Sequence, residues 1–209
     1  MNSRDKILTT LRSKAQPLDH PKPWPSQRNF ADPINRFSEM VTAGKGEVYQ
    51  VANLEAALEQ VDIILHELQA KQVVVNQVEP FNQFDPAKRW PDFEWHVVGQ
   101  SKGDLRSFCS TAEVGLSGAE VALAETGSII VSSGAGRSRL ATLLPPVHLA
   151  VVPTSKLTTD LFTWTAARQG QVPANTVIIS GPSKTADIEQ VLAIGVHGPK
   201  RFIVVLYEG

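Results

Sequence analysis

A single cysteine, Cys109, among 209 residues excludes an internal disulfide, and one thiolate cannot by itself hold a zinc ion or an iron–sulfur cluster. Any metal must come with a partner or be bound by histidines and carboxylates. Runs of basic residues are also missing: 20 Lys+Arg stand against 21 Asp+Glu, for a net charge of −1, which offers a nucleic acid little to bind. No apolar run reaches the length needed to cross a bilayer, and the opening Met-Asn-Ser-Arg-Asp-Lys leads into a mixed segment, so a cytoplasmic protein without a membrane span is expected. No internal repeat is visible. What remains is an ordinary composition, 42% hydrophobic and 20% charged, sufficient for one substantial core plus an extension.

The extension is expected at residues 1–45. Ile7, Leu8, Leu11 and Ala15 recur at helical spacing behind Ser3, so a short amphipathic helix should open the chain. From Pro17 to Pro33 five prolines interrupt every regular pattern and mark an arm. The globular part, residues 46–209, begins with the alternating run Glu47–Val51. Asn53 then caps a helix whose Leu54, Ala57, Leu58, Val61, Leu65 and Leu68 form one stripe, the pattern of a helix lying on a sheet. Val73-Val74-Val75 reads as a strand buried on both faces. The aromatics Phe81, Phe84, Trp90, Phe93 and Trp95 lie among prolines and charges, which suits anchors of a packed loop leading to a short strand at 95–98.

Beyond Cys109, Ser117-Gly118-Ala119-Glu120 fits a capping box and predicts a helix over roughly 118–124. Strands are expected at 128–132, 147–152, 176–180 and 201–207, and a helix begins at Pro153-Thr154-Ser155 with Leu157, Leu161 and Trp164 on one face, closed by Gly170. Another helix should run from the Gly181–Thr185 loop to about Ala193. Strands alternating with helix-length segments predict a three-layer α/β domain with a mostly parallel sheet.

Two loops have the composition of anion sites. Gly134 and Gly136 would let backbone amides approach a phosphate or carboxylate, with Arg137 and Arg139 forking onto its oxygens; a plain surface turn explains the same letters. Ser183, Lys184 and Thr185 stand at an expected helix N-terminus, where free amides and the dipole favour an anion, although capping alone also accounts for them. His197, in a glycine-rich loop, is the better candidate for a general base, because His148 sits inside a strand as core histidines do. If these loops share one edge of the sheet, Arg137, Ser183, Lys184 and His197 should converge on one pocket with Glu125 on its wall. The histidine and carboxylate spacing matches no recognised ligand pattern, so no metal site is assigned.

Four motifs in order, Ala124-Glu125-Thr126-Gly127-Ser128, Leu143-Leu144-Pro145-Pro146-Val147-His148, Gly181-Pro182-Ser183-Lys184-Thr185-Ala186-Asp187-Ile188-Glu189 and Gly195-Val196-His197-Gly198-Pro199-Lys200, resemble the lactate-utilisation protein C family, whose LUD domain was formerly DUF162. The resemblance covers roughly residues 115–200. It implies a fold like the ribose-phosphate isomerases, CoA transferases and folate cyclo-ligases. It also implies a role as the cluster-free component beside iron–sulfur proteins that oxidise L-lactate to pyruvate, with no cofactor bound by this chain alone. A different activity is open on the same resemblance: an isomerase, CoA transferase or cyclo-ligase acting on a phosphorylated or CoA-linked small molecule. In that case Glu125, in a Glu-x-Gly setting like that of the CoA transferases, would be the nucleophile; otherwise it fixes a turn.

Overall fold

Asn53 starts the helix that covers one face of the sheet: its side-chain oxygen accepts the amide of Ala56 at 2.9 Å and relieves one of the unpaired first-turn donors. A computed structural model of the chain describes residues 2–15, 24–168, 172–186 and 192–209. Its first half runs α1 (Ser3–Lys14), α2 (Pro33–Ala43), β1 (Glu47–Val51), α3 (Leu54–Glu67), β2 (Gln72–Val75), the single turn α4 (Pro86–Arg89), β3 (Glu94–Val97), α5 (Leu105–Thr111) and β4 (Val114–Ser117). The second half runs β5 (Val121–Leu123), β6 (Ser128–Ser132), α6 (Arg139–Leu143), β7 (Val147–Pro153), β8 (Leu157–Thr158), α7 (Leu161–Ala167), β9 (Thr176–Ile179), β10 (Lys184–Ala186), β11 (Leu192–Ile194) and β12 (Arg201–Tyr207).

Six strands form one sheet in the order β1-β12-β7-β4-β2-β3, and every pairing in it is parallel. The expected α/β fold is therefore present. The stripe on α3 packs on one face, with Ala57, Leu58, Val61, Ile64 and Leu65 all buried against Val73, Val75, Leu149, Val151, Ile203 and Val205. Each large aliphatic side chain so buried contributes about 1.5–3 kcal/mol, so the stripe alone accounts for much of the helix's attachment. The aromatic loop closes the same layer: Phe81 is fully buried and Trp90 stacks on Trp95 with ring centroids 5.5 Å apart.

The opposite face is covered differently from the expectation. The runs expected at 128–132 and 176–180 do not enter the parallel sheet but form β6 and β9 of a second, four-stranded sheet ordered β8-β5-β6-β9, in which β6 pairs antiparallel with both β5 and β9. The connection from Leu123 to Ser128 is too short for a parallel crossover, which needs a dozen or more residues. Instead it folds as a tight turn, with Gly127 at φ +63 and its amide on the Leu123 carbonyl at 3.0 Å. All of β6 is buried because Ile129 and Val131 meet the large sheet while Ile130 meets Leu161 and Trp164 of α7. A strand covered on both faces has the same hydrophobic run whichever way its neighbours point.

Three helix expectations are corrected, two by this sheet and one by a separate two-stranded hairpin. The capping box at Ser117 to Glu120 is not one: Ser117 ends β4, the Glu120 amide bonds the Ile130 carbonyl at 2.8 Å, and Val121–Leu123 is a strand. After Pro153 a 3-10 turn (Thr154–Lys156) leads into β8, so Leu157 is a strand residue, and the helix starts only where Asp160 accepts the Thr163 amide at 2.8 Å. Where a helix was expected to start after Gly181, Lys184–Ala186 pairs antiparallel with Leu192–Ile194. The expected residues Pro17, Pro21, Pro23, Gly170 and Asp187 to Glu189 lie outside the described residues.

Within the stretch expected as the extension, residues 1–45, α2 is built into the core. Asp32 caps it, Pro33 occupies its first turn, and Phe37 and Val41 are buried beside Ile129, Phe202 and Val204. Proline at the first helical position removes a donor that has no intrahelical partner, so this proline starts a helix. By contrast α1 buries no residue, and its Ile7 and Leu11 are exposed.

Candidate functional site

The chain leaves β2 toward β3 on one side, whereas β4, β7 and β12 lie on the other. The C-terminal ends of β2 and β4 therefore flank a switch point, the place where open α/β sheets hold ligands. A cleft of about 140 Å³ opens there, bounded by Asn76 from the end of β2, Gly118 and Glu120 after β4, Ser132 at the end of β6, Arg137, and Lys156 after β7.

The arrangement is held mainly by backbone and amide contacts. Gly134 to Arg137 is a β-turn closed by the Arg137 amide on the Gly134 carbonyl at 3.0 Å, with Gly136 at φ +67, the third-position glycine a type II turn requires. The turn is pinned to β2 by three bonds. The Gln77 amide donates to the Gly136 carbonyl at 2.7 Å, the Ser138 amide donates to Asn76 Oδ1 at 2.8 Å, and Asn76 Nδ2 donates to the Ser138 carbonyl at 3.3 Å. Across the cleft, a Cβ on Gly118 would fall 1.9 Å from the Glu79 carbonyl oxygen, so only glycine lets these two loops pass.

Charge in the cleft is mixed. Glu120 accepts the Ser132 hydroxyl at 2.5 Å and has Arg168 Nε at 3.8 Å. Lys156 Nζ stands 2.9 Å from Glu79. The Arg137 guanidinium lies across Gly134, where a Cβ would come within 2.7 Å of Nη2. Arg137, Lys156 and Glu120 thus border the same small space, two cations whose chemistry suits an anion beside a carboxylate that can accept a proton, with Lys156 already paired to Glu79.

The expected single pocket does not form. Arg137 borders this cleft, while Gly134 and Gly136 only shape the turn that carries it; Ser183 and His197 line a different cavity, together with His148. The loop at 195–200 precedes β12 and so lies at the N-terminal edge of the parallel sheet, opposite the cleft. Lys184 donates to the Gly44 carbonyl at 2.7 Å, and Thr185 pairs with Ala193 in the small hairpin. No helix N-terminus exists at Ser183, whose amide is taken by the Pro199 carbonyl at 2.8 Å. Glu125 borders neither space; it pairs with Arg28 at 3.0 Å, and its amide bonds the Thr159 carbonyl at 2.9 Å. Beside it, Arg28 and Ser26 hold the fully buried Asp160. Burial alone would raise the Asp160 carboxyl, but hydrogen bonds from Ser26 and Thr163 and the Arg28 charge hold it below its ordinary value.

His148 is a core residue, as its strand position suggested. It is buried, Ser117 Oγ lies 2.8 Å from its Nε2, and burial pushes its pKa down to about 3, so the ring is neutral at physiological pH. Glu120, Asn76 and Lys156 were missed. Glu120 was absorbed into the capping box, while Asn76 and Lys156 carried a usable signal, a polar residue just past the end of a buried strand.

The LUD domain profile matches residues 34–207. The chain belongs to the LUD domain family. Lactate utilization protein C of Halalkalibacterium halodurans is 33% identical over 184 residues, covering 84% of this chain and 79% of that protein. The protein of the same name from an Exiguobacterium species is 40% identical over 121 residues, and there the match spans only 52% of the relative's length. A DUF162 family protein from Deinococcus radiodurans, known from its crystal structure, superposes with a TM-score of 0.57 at 19% identity, over 84% of this chain and 96% of that one. That likeness concerns the fold. In this LUD domain the motif residues Glu125 and His197 lie outside the cleft at the switch point, and no helix of the described residues is long and apolar enough to cross a membrane.

Proposed function

We propose that this LUD domain serves lactate utilisation as the cluster-free component of a bacterial iron–sulfur system that oxidises L-lactate to pyruvate, and that its switch-point cleft holds a small carboxylate. The observation that carries the site is the convergence of Arg137, Lys156 and Glu120 on one cleft; lactate utilisation rests on the names of its relatives, and the iron–sulfur system on the resemblance carried by the four motifs. An arginine fork and an ammonium suit a carboxylate, and the Glu120 oxygens suit a hydroxyl proton on the neighbouring carbon. Oxidation of lactate releases two electrons and two protons. The chain's one cysteine is buried, with burial pushing its thiol up to about 11, so the electrons are assigned to clusters in partner proteins.

Glu120 also supports a second reading, an enzyme of the isomerase, CoA-transferase or cyclo-ligase type acting on a phosphorylated or CoA-linked molecule. A carboxylate at a switch point is placed for nucleophilic or general-base work, and on this reading Glu120 takes the role first considered for Glu125.

The purified chain with L-lactate and an artificial electron acceptor is expected to form no pyruvate, and to restore the reaction when added to the iron–sulfur proteins that co-purify with it from its host. Pyruvate formation by the chain alone overturns the accessory role. L-lactate should raise the Tm of the parent and not of Arg137→Ala; an equal rise in both overturns the carboxylate site.

A further inference from the structure

Glu120 stands between β4 and β5, with its amide on the Ile130 carbonyl at 2.8 Å, and borders the switch-point cleft beside Ser132. Its two carboxylate oxygens have separate partners. Oε2 accepts the Ser132 hydroxyl at 2.5 Å, and Oε1 has Arg168 Nε at 3.8 Å. A carboxylate has acceptor positions only, so the Ser132 proton points at Glu120, and the Thr176 hydroxyl, 3.3 Å from Ser132 Oγ, donates in turn to Ser132. Arg168 is itself held over the Trp164 ring, 5.2 Å from the centroid. Residues of β6 and β9 and from the end of α7 thus fix one carboxylate.

The fixed group stays within reach of a ligand. Glu120 keeps 31% of its side chain exposed, and its two oxygens together offer about four lone-pair positions, which these partners fill only in part. What such a group discriminates follows from its polarity. A ligand hydroxyl donates to it. An oxo oxygen has no proton to give and turns its own lone pairs toward the carboxylate, so the hydrogen bond is lost and two negative ends face each other. The charge that suits Arg137 and Lys156 is the same on a 2-hydroxy and a 2-oxo carboxylate.

We propose that Glu120 makes the cleft selective for a 2-hydroxy carboxylate over the corresponding 2-oxo carboxylate, with Ser132 and Arg168 as its positioning residues. This selectivity rests on the carboxylate site proposed above, and it means that the cleft registers the substrate of the oxidation and not its product. An enclosed site built to bond a hydroxyl rejects the analogue lacking it by about 10⁴-fold or more. Here the carboxylate is partly open to water, and the discrimination is smaller.

The test uses the whole chain labelled with 15N and three sodium salts of similar size: L-lactate, with a donor at the second carbon, propionate, with neither donor nor acceptor there, and pyruvate, with an acceptor. Backbone amide signals of Gly118, Glu120 and Arg137 report binding in the cleft. L-lactate is expected to bind about tenfold more tightly than propionate, the value of one hydrogen bond of ~1.4 kcal/mol, and propionate more tightly than pyruvate. Equal constants for the three acids leave the carboxylate site standing and overturn the selectivity; no saturable shift from any of them overturns both. In Glu120→Gln the ratio of lactate to pyruvate affinity should fall to about one, because an amide offers a donor as well as an acceptor. The lost charge acts on all three acids alike and cancels in the ratio. A ratio unchanged from the parent overturns the role of Glu120. In Ser132→Ala the ratio should fall several-fold while propionate binds as in the parent, which also shows that the cleft is intact. Equal weakening of all three acids, as a purely structural serine would give, or an unchanged ratio overturns its positioning role.

Discussion

Replacing Asn76 by alanine tests whether the cleft depends on a single buried amide. Asn76 is 4% exposed, and its two side-chain bonds to Ser138, 2.8 Å and 3.3 Å long, hold the loop that carries Arg137. Truncation leaves the Ser138 amide without its acceptor, at a cost of about 1–3 kcal/mol, and removes a longer second bond of roughly 0.5–1.5 kcal/mol. The gap borders the cleft, so water can replace part of what is lost. The expected destabilisation is therefore about 2 kcal/mol, or ~4–8 °C in Tm for a domain of this size. Asn76→Asp keeps the acceptor for the Ser138 amide but turns a second oxygen toward the Ser138 carbonyl, and it should also be destabilised. Urea unfolding gives the stability, and the Tm rise caused by L-lactate gives the function. Of its three bonds to the end of β2, the Arg137 turn then keeps the one from the Gln77 amide, so the lactate response should shrink in the alanine variant. A loss under about 0.5 kcal/mol together with an undiminished lactate response would refute the pinned turn.

Asp160 predicts a pH dependence. Its folded pKa is held below the ordinary value by Ser26, Thr163 and Arg28 against the effect of burial, so its contribution is present above the unfolded pKa of about 4 and is lost as pH falls through the folded value. The urea midpoint of the parent should drop between pH 5 and pH 3 more than that of Asp160→Asn; parallel pH profiles would contradict this. Cys109 is buried, with its thiol pushed up to about 11, so at pH 8 an aromatic disulfide reagent should label it slowly in the folded chain and rapidly in urea. Fast labelling of the folded protein would show that α5 opens readily.

Some elements were legible because their signals are local. Asn53 and the stripe behind it specify α3 whatever it packs on, since a cap and a 3.6-residue period act within one helix. The parallel strands at 72–75, 147–153 and 201–207 were readable as short β-branched runs between segments long enough for crossovers, and the four motifs pointed to the LUD family directly. Pairing partners are a different matter. Ser128–Ser132 has the same buried run in a parallel or an antiparallel sheet, and only the short turn at Gly127 and the packing of α7 decide between them. Ser117-x-x-Glu120 satisfies a capping box by spacing alone, but the Ser117 hydroxyl meets His148, 31 residues away, and Glu120 meets Ser132. The separation of Arg137 from Ser183 and His197 was likewise set by which end of the sheet each loop leaves or enters. Periodicity reports burial; strand direction and the company a side chain keeps depend on contacts between residues distant in the chain, and these exist only once the layers have packed.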